Sequence, residues 1–503
     1  MLLTEKYKEQ ITGIISCYDR VILQASLSQW GYAEGMTSFA INNNIKIFDF
    51  PIFAQALRDS LNKNILSVAE ENNIQIEYIR RPSAFSKEAN IQKIISEKNI
   101  RQGMVHIYSV LEPCLYYKPY YNKTTGLSSL RTKEGICLHY YIYFIDKDYG
   151  LCFLRIPTYA PFRLQFYFNG HNLLAQKLKN KNLTYTMLDN SFLNIADFNE
   201  AQLLSDNLRV EDLHQFLNIL SDRYLPFLKK YNQLYRWSIM QAEYSTDIIF
   251  KNQTNFQLFY QDLIYKVTLS VKPDNISTFL GKKLSPVYKG EIGNNFYNNR
   301  ILGTRIKHRK GGNYIKIYDK FGTILRIETT VNSVTDFIHF RQIDKKDGTK
   351  VNGFAKMKKN IYSLYALGKI LKSSNNRYLE FISAFEDNTQ GNKNLLKVSE
   401  PVYSNDRSLK GSNFFNQFDL KLLLTISRGE FLINGFRNKD IREFLSDVKP
   451  ATVSRILKRL LLHHMIKKVK NSYKYYLTKL GKIIISTALQ LKEFLLTPKL
   501  SAA

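Results

Sequence analysis

Cysteine is scarce in this sequence: four residues in 503, Cys17, Cys114, Cys137 and Cys152, none paired in a CxxC. That spacing excludes a zinc ribbon and argues against a disulfide framework, leaving free thiols in a reducing compartment. Long apolar runs are missing too. No stretch approaches the roughly 20 residues needed to span a bilayer, so no membrane partner is expected. The N-terminal stretch MLLTEKYKEQITGIIS is broken by charge too early for a secretory signal, and the expected location is the cytoplasm. Walker, GxGxxG, HExxH and GxSxG motifs are all absent. ATP hydrolysis, dinucleotide redox chemistry and serine-hydrolase chemistry are therefore disfavoured.

Acidic residues are also in short supply. Seventy-two Lys and Arg stand against 43 Asp and Glu, a net charge of +29, which favours a polyanionic partner. An AT-rich coding sequence, which inflates Lys and Asn, is the competing explanation, so local clustering of charge has to decide. The length and a 44% hydrophobic content imply two to four domains with real cores.

The pattern predicts an α+β protein: a body of mixed or antiparallel sheet with helical segments, followed by a C-terminal winged helix-turn-helix. Residues 1–100 read as an N-terminal α/β region, with strands at CYDRVILQASLSQW, IKIFDF and IQIEYI and a helix at FPIFAQALRDSLNKNILSVAEEN. Residues 101–397 read as a central mixed-sheet and helical body. Its strands GMVHIYSVLE, ICLHYYIYFID, GLCFLRIPTY and FRLQFYFNG are dense in Tyr, Phe, Ile and Leu. HNLLAQKLKNKN reads as a helix, 198–265 as helical, 313–330 as strands and 360–390 as helical again. The Pro-, Gly-, Ser- and Asn-containing stretch 398–417 reads as a linker, and 418–503 as the winged helix.

In that last region DLKLLLTISRG predicts a first helix and GFRNKDIREFL a second, with Asn438 as N-cap. ATVSRILKRLLLHH, with Pro450 near its first turn, predicts a third. Val453, Ile456, Leu457 and Leu460 fall on one face of it. Thr452, Ser454, Arg455, Lys458 and Arg459 fall on or beside the other, where a major groove would meet them. MIKKVK and YKYYLT, joined at Asn471-Ser472, form a hairpin offering Lys467, Lys468, Lys470 and Lys474 to the phosphate backbone. Residues 419–497 hold sixteen Lys and Arg against six acids, so the charge is locally concentrated. The phrase HMIKKVKNSYKYYLTKLG resembles the wing and exit of MarR-type winged-helix regulators, which implies duplex DNA as partner. A winged helix used for protein contacts is the plainer alternative.

A second basic concentration lies at 300–320. Arg300, Arg305, Lys307, Arg309, Lys310, Lys316 and Lys320 face a single acid, Asp319. In YIKIYDK, strand alternation puts Tyr314, Lys316, Tyr318 and Lys320 on one face and Ile315, Ile317 and Asp319 on the other. A hairpin through Phe321-Gly322 brings Tyr318, Lys320, Arg326 and Glu328 together. Tyrosine, lysine and a metal-binding carboxylate at one place can support phosphoryl transfer to the phenol, with Tyr318, Lys320 and Glu328 as catalytic candidates and Mg²⁺ or Mn²⁺ as cofactor. Spacing alone favours a cationic strand pair that grips backbone through Arg305, Lys307, Arg309, Lys310 and Lys316.

KIYDK followed by LRIE resembles a YxK…LRxE phrase of rolling-circle replication initiators of plasmid and filamentous-phage types. NGHN, Asn169 to Asn172, resembles the QGHN phrase of the phage group. That resemblance implies a mobile-element or replication protein that nicks DNA. The sequence departs from it in lacking a His-hydrophobe-His triplet, and in reading Ile301-Leu302-Gly303-Thr304-Arg305 where plasmid initiators place a tyrosine before Gly-Ser-Arg. Tyr314 or Tyr318 would have to substitute. Over its whole length the chain resembles a widespread, functionally uncharacterised bacterial family through CYDRVIL, YAEGM, LHYYIYFID, PFRLQFYFNGHN, WSIMQAEY and IKIYDKFG.

His106, His139, His171 and Glu112 are a weaker metal set. His106 and His139 read as core histidines, whereas His171, after a glycine and before a helix, is the better ligand candidate beside Glu328. Glu243 and Asp247 read as i,i+4 on a helix, where they could share a cation. The functional expectation is a DNA-binding protein of mobile-element or replication type, with metal-dependent strand nicking as its candidate chemistry. The alternatives are a winged-helix transcriptional regulator, which could act as a homodimer, and an accessory protein binding single-stranded DNA or structured RNA.

Overall fold

The computed structural model describes residues 2–503 apart from 82–84, 272, 283–290, 299–303, 385–393, 395, 405–406, 414–415, 446–447, 493–496, 498–499 and 501–503. Arg300 and Ile301–Gly303, singled out above, lie outside the described residues. The chain divides into two units, Met1–Phe385 and Glu386–Ala503. Among the described residues no helix is long and apolar enough to cross a membrane.

Thirteen strands of the first unit precede residue 332: β1 (Ile11–Leu27), β2 (Glu77–Ile79), β3 (Gly103–Tyr121), β4 (Ser128–Asp146), β5 (Gly150–Pro157), β6 (Leu164–Asn169), β7 (Tyr185–Leu188), β8 (Ser191–Ile195), β9 (Tyr235–Phe250), β10 (Ile292–Asn298), β11 (Thr304–Lys310), β12 (Asn313–Lys320) and β13 (Ile324–Val331). Eleven of them form one sheet in the order β10-β11-β12-β13-β9-β1-β6-β5-β4-β3-β2. Every neighbouring pair is antiparallel except the short edge pair β2–β3. The fold is α+β on a mixed, mainly antiparallel sheet, as the sequence predicts. Hairpins β7–β8 and β14 (Ile338–Asp344)–β15 (Lys350–Lys356) stand apart from it.

The helices of this unit are α1 (Leu3–Lys6), α2 (Ala33–Asn42), α3 (Phe50–Glu71), α4 (Lys87–Lys98), α5 (Gly170–Asn180), α6 (Phe198–Asp206), α7 (Val210–Tyr224), α8 (Gln253–Ser270), α9 (Pro273–Phe279) and α10 (Leu364–Ser383). On α7, Leu213, Leu217, Leu220 and Tyr224 recur at three and four and are buried, the stripe expected of a helix lying on a sheet. One face of the sheet packs on α2, α3, α7 and α10 through Tyr18, Val21, Leu23, Trp30, Phe50 and Leu364. Further along, the same side packs on α8 and α9 through Ile248, Phe256, Ile315, Ile317 and Ile327. The other face is covered only in part, by α5, α6 and the β7–β8 hairpin at one place and by α4 at another.

Three expectations change. First, 198–265 is not helical throughout: Tyr235–Phe250 is a sixteen-residue strand at the middle of the sheet. Its periodicity misleads because a bulge at Met240, opposite Ile22 and Leu23, shifts the phase: Tyr235, Trp237 and Ile239 are buried before it, and Ala242, Tyr244, Thr246 and Ile248 after it. Second, IKIFDF is a 3₁₀ turn (Ile47–Asp49) running into α3, whose N-terminus is set by Pro51. Third, 1–100 is not a separate region, since β1 is bonded to β6 and β9 along most of its length.

The second unit contains the hairpin β16 (Val402–Ser404)–β17 (Arg407–Leu409), then α11 (Gln417–Ile426), α12 (Gly429–Asn434), α13 (Asn438–Phe444) and α14 (Pro450–Leu462). The hairpin β18 (Ile466–Lys468)–β19 (Tyr475–Leu477) and α15 (Lys479–Gln490) follow. Residues 398–417 are not a free tether. Val398 is fully buried with Leu422, Phe436, Leu457 and Leu460. Ser412 N donates to Val398 O at 2.8 Å, and the His463 ring lies 2.6 Å from Lys397 O through Nδ1.

Candidate functional site

The site begins with a flaw in β1. Between Tyr18 and Val21 the pairing with β9 slips by one residue, Tyr18 opposing Tyr244 and Val21 opposing Ala242. A bulge of this kind re-aims side chains. It puts Asp19 and Arg20 in succession on the partly open face: Asp19 meets Arg326 and His171, and Arg20 lies over the Tyr167 ring. The NGHN segment then closes on it. Asn169 ends β6 and caps α5 by accepting from His171 N and Asn172 N, while its Nδ2 donates to Asp19 Oδ1 at 2.9 Å. Gly170 runs against β1 so closely that a Cβ would stand 2.0 Å from Tyr18 O, which leaves no room for a side chain.

β9 and β13 supply the rest. On β9, Glu243 and Asp247 are four residues apart in a strand and so share a face. In β13, Arg326 opposes Asp247 and Glu328 opposes Ser245. In β12, Lys316 opposes Glu328 and Tyr318 opposes Arg326. The turn between these strands is Phe321-Gly322, both at positive φ (60° and 74°). The face predicted for Tyr314, Lys316, Tyr318 and Lys320 is the one observed, with Ile315, Ile317 and Asp319 buried on the other side.

Two linked sets result. In the deeper one, Arg326, with no exposed surface, donates from Nε to Asp247 Oδ1 and from Nη2 to Asp247 Oδ2, both at 2.6 Å. Its Nη1 reaches Asp19 Oδ2 at 3.3 Å, and its Nη2 also donates to Ser191 Oγ at 2.8 Å. His171 sits between the carboxylates, Nδ1 3.1 Å from Asp19 and Nε2 3.4 Å from Asp247. Burial by itself would raise the Asp247 carboxyl, but the guanidinium and His171 hold it at about 2. Asp19 is likewise held well below the usual carboxylate range against burial, first by Arg326 and then by His171.

In the shallower set Asp19, Glu243 and Glu328 offer carboxylate oxygens that all lie within 4.8 Å of one another. Tyr318 Oη donates to Glu328 Oε2 at 2.6 Å. The Lys316 ammonium is ion-paired to Glu328 and lies 3.8 Å from Glu243. Burial and the charge of Glu328 push the Glu243 carboxyl up to about 7. Burial and Arg326 bring the Lys320 ammonium down to about 8, where it bonds Asn190 Oδ1. Burial, reinforced by Glu328, raises the Tyr318 phenol well above its ordinary range.

This donor set suits a hard divalent cation, which takes oxygen ligands, and the raised Glu243 carboxyl marks crowded negative charge that a cation relieves. Lys316 holds part of that charge now. His171 does not join the three carboxylates as the sequence reading proposed for a ligand. Both its nitrogens face Asp19, Asp247 and Arg326, so it positions Asp19 from behind.

The remaining central cations separate into two groups. Arg305, Lys307 and Arg309 lie on β11 beside the site face, with Lys307 Nζ 3.5 Å from the Tyr314 ring centroid. Lys310 does not: it points to the opposite side, buried, with Nζ donating to Ser277 Oγ at 2.9 Å. The His106, His139, His171 and Glu112 set is not assembled. His106 pairs with Glu77, His139 with Cys137 O, and Glu112 with Arg155 and Tyr141.

Sequence reasoning missed Asp19 altogether. The signal was present, since CYDRVIL sets an acid inside an apolar strand where an unpaired carboxylate would be costly.

In the second unit Val453, Ile456, Leu457 and Leu460 of α14 are buried, and Thr452, Ser454, Arg455 and Lys458 are exposed. Asn438 is the first residue of α13, not its cap; its Nδ2 donates to Ser454 Oγ at 2.9 Å and ties α13 to α14. Arg459 is withdrawn from the exposed face: its Nη2 donates to buried Asp419 at 2.7 Å. Lys467, Lys468 and Lys470 are exposed along the hairpin, and Lys474 is half-buried beside Tyr476. No protein-family profile, curated protein or solved structure matches the chain.

Proposed function

We propose that this is a DNA-binding protein of replication or mobile-element type. The open sheet face cuts one strand with a divalent cation, and the C-terminal unit docks on duplex as a winged helix-turn-helix. The observation that carries the first part is the meeting of Asp19, Glu243 and Glu328 with the Tyr318 hydroxyl on the partly open face.

Asp19, Glu243 and Glu328 would hold Mg²⁺ or Mn²⁺, which would supply charge stabilisation to a transferring phosphoryl group. Glu328 accepts the Tyr318 proton along the existing hydrogen bond. The phenolate oxygen then bonds to phosphorus as the P–O bond to one sugar oxygen breaks, and that oxygen takes up a proton as it leaves. Lys320, Lys307 and Arg20 provide positive charge for the flanking phosphates. The second part rests on the exposed Thr452, Ser454, Arg455 and Lys458 of α14 and on Lys467, Lys468 and Lys470 of the hairpin after it.

One observation favours a second reading, a binding protein without chemistry: Lys316 already pairs with Glu328, which such a protein needs and a metal enzyme must rearrange. Incubation of the full chain with supercoiled and single-stranded DNA plus Mn²⁺, followed by a denaturing gel, separates the two. Cutting that leaves protein attached to one strand end, lost in Tyr318→Phe and Glu328→Ala, supports the enzyme. Salt-sensitive binding with no cut under any divalent metal contradicts it and leaves the binding protein.

A further inference from the structure

Beside the carboxylate cluster lies a cavity of about 740 Å³, enclosed by α4, α5, the β7–β8 hairpin and the face of β4–β6. That volume falls in the range of small-ligand sites. Its floor is aromatic. Phe153 and Tyr167 stack at 5.0 Å between centroids with 13° between planes, and Tyr143 packs on Phe153 at 5.2 Å. Tyr143 is 3% exposed, and its buried hydroxyl has no hydrogen-bond partner among the described residues. Leaving such a group unsatisfied is costly, and native structures rarely do so without a reason. Tyr143 is among the residues that border this cavity, with its hydroxyl turned into the protein.

The polar groups on the wall are amides, Asn169, Asn172, Gln176 and Asn190, which both donate and accept. Two of them lead directly to the cluster, since Asn169 Nδ2 and Asn190 Nδ2 each donate to Asp19 Oδ1 at 2.9 Å. Among the described residues no Lys or Arg lines the cavity, and Glu88 and Asp189 do. A phosphate is therefore unwelcome inside. Cations stand at the edge instead: Arg20 lies 5.8 Å over the Tyr167 ring, and Lys320 bonds Asn190.

We propose that this cavity receives one unstacked nucleobase of a single strand. The base lies against Tyr167 and Phe153, its edge is read by the amides, and the flanking phosphates stay outside on Arg20 and Lys320. The proposal deepens the reading of the sheet face as a nucleic-acid site and rests on it. A base bound there, with its phosphates outside, accounts for a wall lined by amides and rings rather than by cations.

Two arms of one experiment on the full chain keep the two ideas distinguishable. In the first, the four free nucleosides are tested by saturation-transfer NMR. At least one binds at millimolar concentration to the wild type, and Tyr167→Ala abolishes the signal; absence of any such binding overturns the cavity proposal even if DNA binds well. In the second, single-stranded oligonucleotides with one abasic position at a time are titrated by fluorescence anisotropy.

One position weakens binding about tenfold, as expected for the loss of one stacked base. Tyr167→Ala weakens the intact strand by a similar factor and leaves that abasic strand unchanged. Equal effects at every abasic position, or equal loss for intact and abasic strands in Tyr167→Ala, overturn the proposal. Nucleoside binding without strand binding counts against the nucleic-acid reading of the sheet face and not against the cavity.

Discussion

The two basic concentrations of this chain use their charge in opposite ways. At the sheet site three cations are engaged with buried groups: Arg326 with Asp247 and Asp19, Lys316 with Glu328 and Lys320 with Asn190. On α14 and the following hairpin, Arg455, Lys458, Lys467, Lys468 and Lys470 stand exposed to water. The first arrangement fixes acidic groups inside a strand framework. The second leaves charge available to exchange for condensed counterions on a polyanion. Net charge alone treats the two alike; burial separates them.

The contrast is broken most forcefully at Arg326. Arg326→Met leaves Asp19 and Asp247 buried without a counter-charge and lowers the stability of the first unit by about 3–5 kcal/mol, measured by urea denaturation followed by tryptophan fluorescence, since Trp30 and Trp237 both lie in this unit. Arg459→Met tests the same principle within the second unit. It strands Asp419 and costs about 3 kcal/mol, yet leaves the salt dependence of duplex binding unchanged.

Arg455→Ala with Lys458→Ala does the reverse. Duplex affinity falls about tenfold to a hundredfold, the slope of log affinity against log salt flattens by about 2, and stability moves by no more than about 0.5 kcal/mol. Anisotropy titrations at several salt concentrations, paired with thermal melts, check both variants.

The effect at Glu243 is the one that depends on pH. Its carboxyl is pushed up to about 7 by burial and Glu328, so the folded state binds this proton more tightly than the unfolded chain does. That stabilisation by the proton is present at low pH and declines as pH rises from the ordinary carboxylate range to about 7. Without metal, Glu243→Gln therefore gains stability relative to wild type at pH 8 and not at pH 4. Melting curves across that range show the crossover.

Strand alternation made the contents of β12 and β13 legible, because two sides of the hairpin are specified by residues alternating with period two: Tyr314, Lys316, Tyr318 and Lys320 against Ile315 and Ile317. The positive-φ turn at Phe321-Gly322 followed from its glycine. Between Gln417 and Leu462 four helices stand where three were expected, since Gly429 starts a short helix where it was expected to end one.

What stayed hidden has common causes. The alternation of β9 changes phase at the Met240 bulge, so its period reads as a helix, and Glu243 and Asp247 were placed on the wrong element. Asp19 depends on a bulge that no local composition announces. Lys310 and Arg459 look like their exposed neighbours in sequence, and only the partners Ser277 and Asp419, distant along the chain, withdraw them.

The central claim is that Asp19, Glu243 and Glu328 form a cation site, and titration of the full chain with Mn²⁺ followed by electron paramagnetic resonance tests it most directly. The account predicts one Mn²⁺ bound per chain, more tightly at pH 8 than at pH 6 because Glu243 must lose its proton, and lost in Glu328→Gln with the fold intact by circular dichroism. Absence of bound Mn²⁺ at pH 8, or binding undisturbed by Glu328→Gln and Glu243→Gln alike, would contradict it.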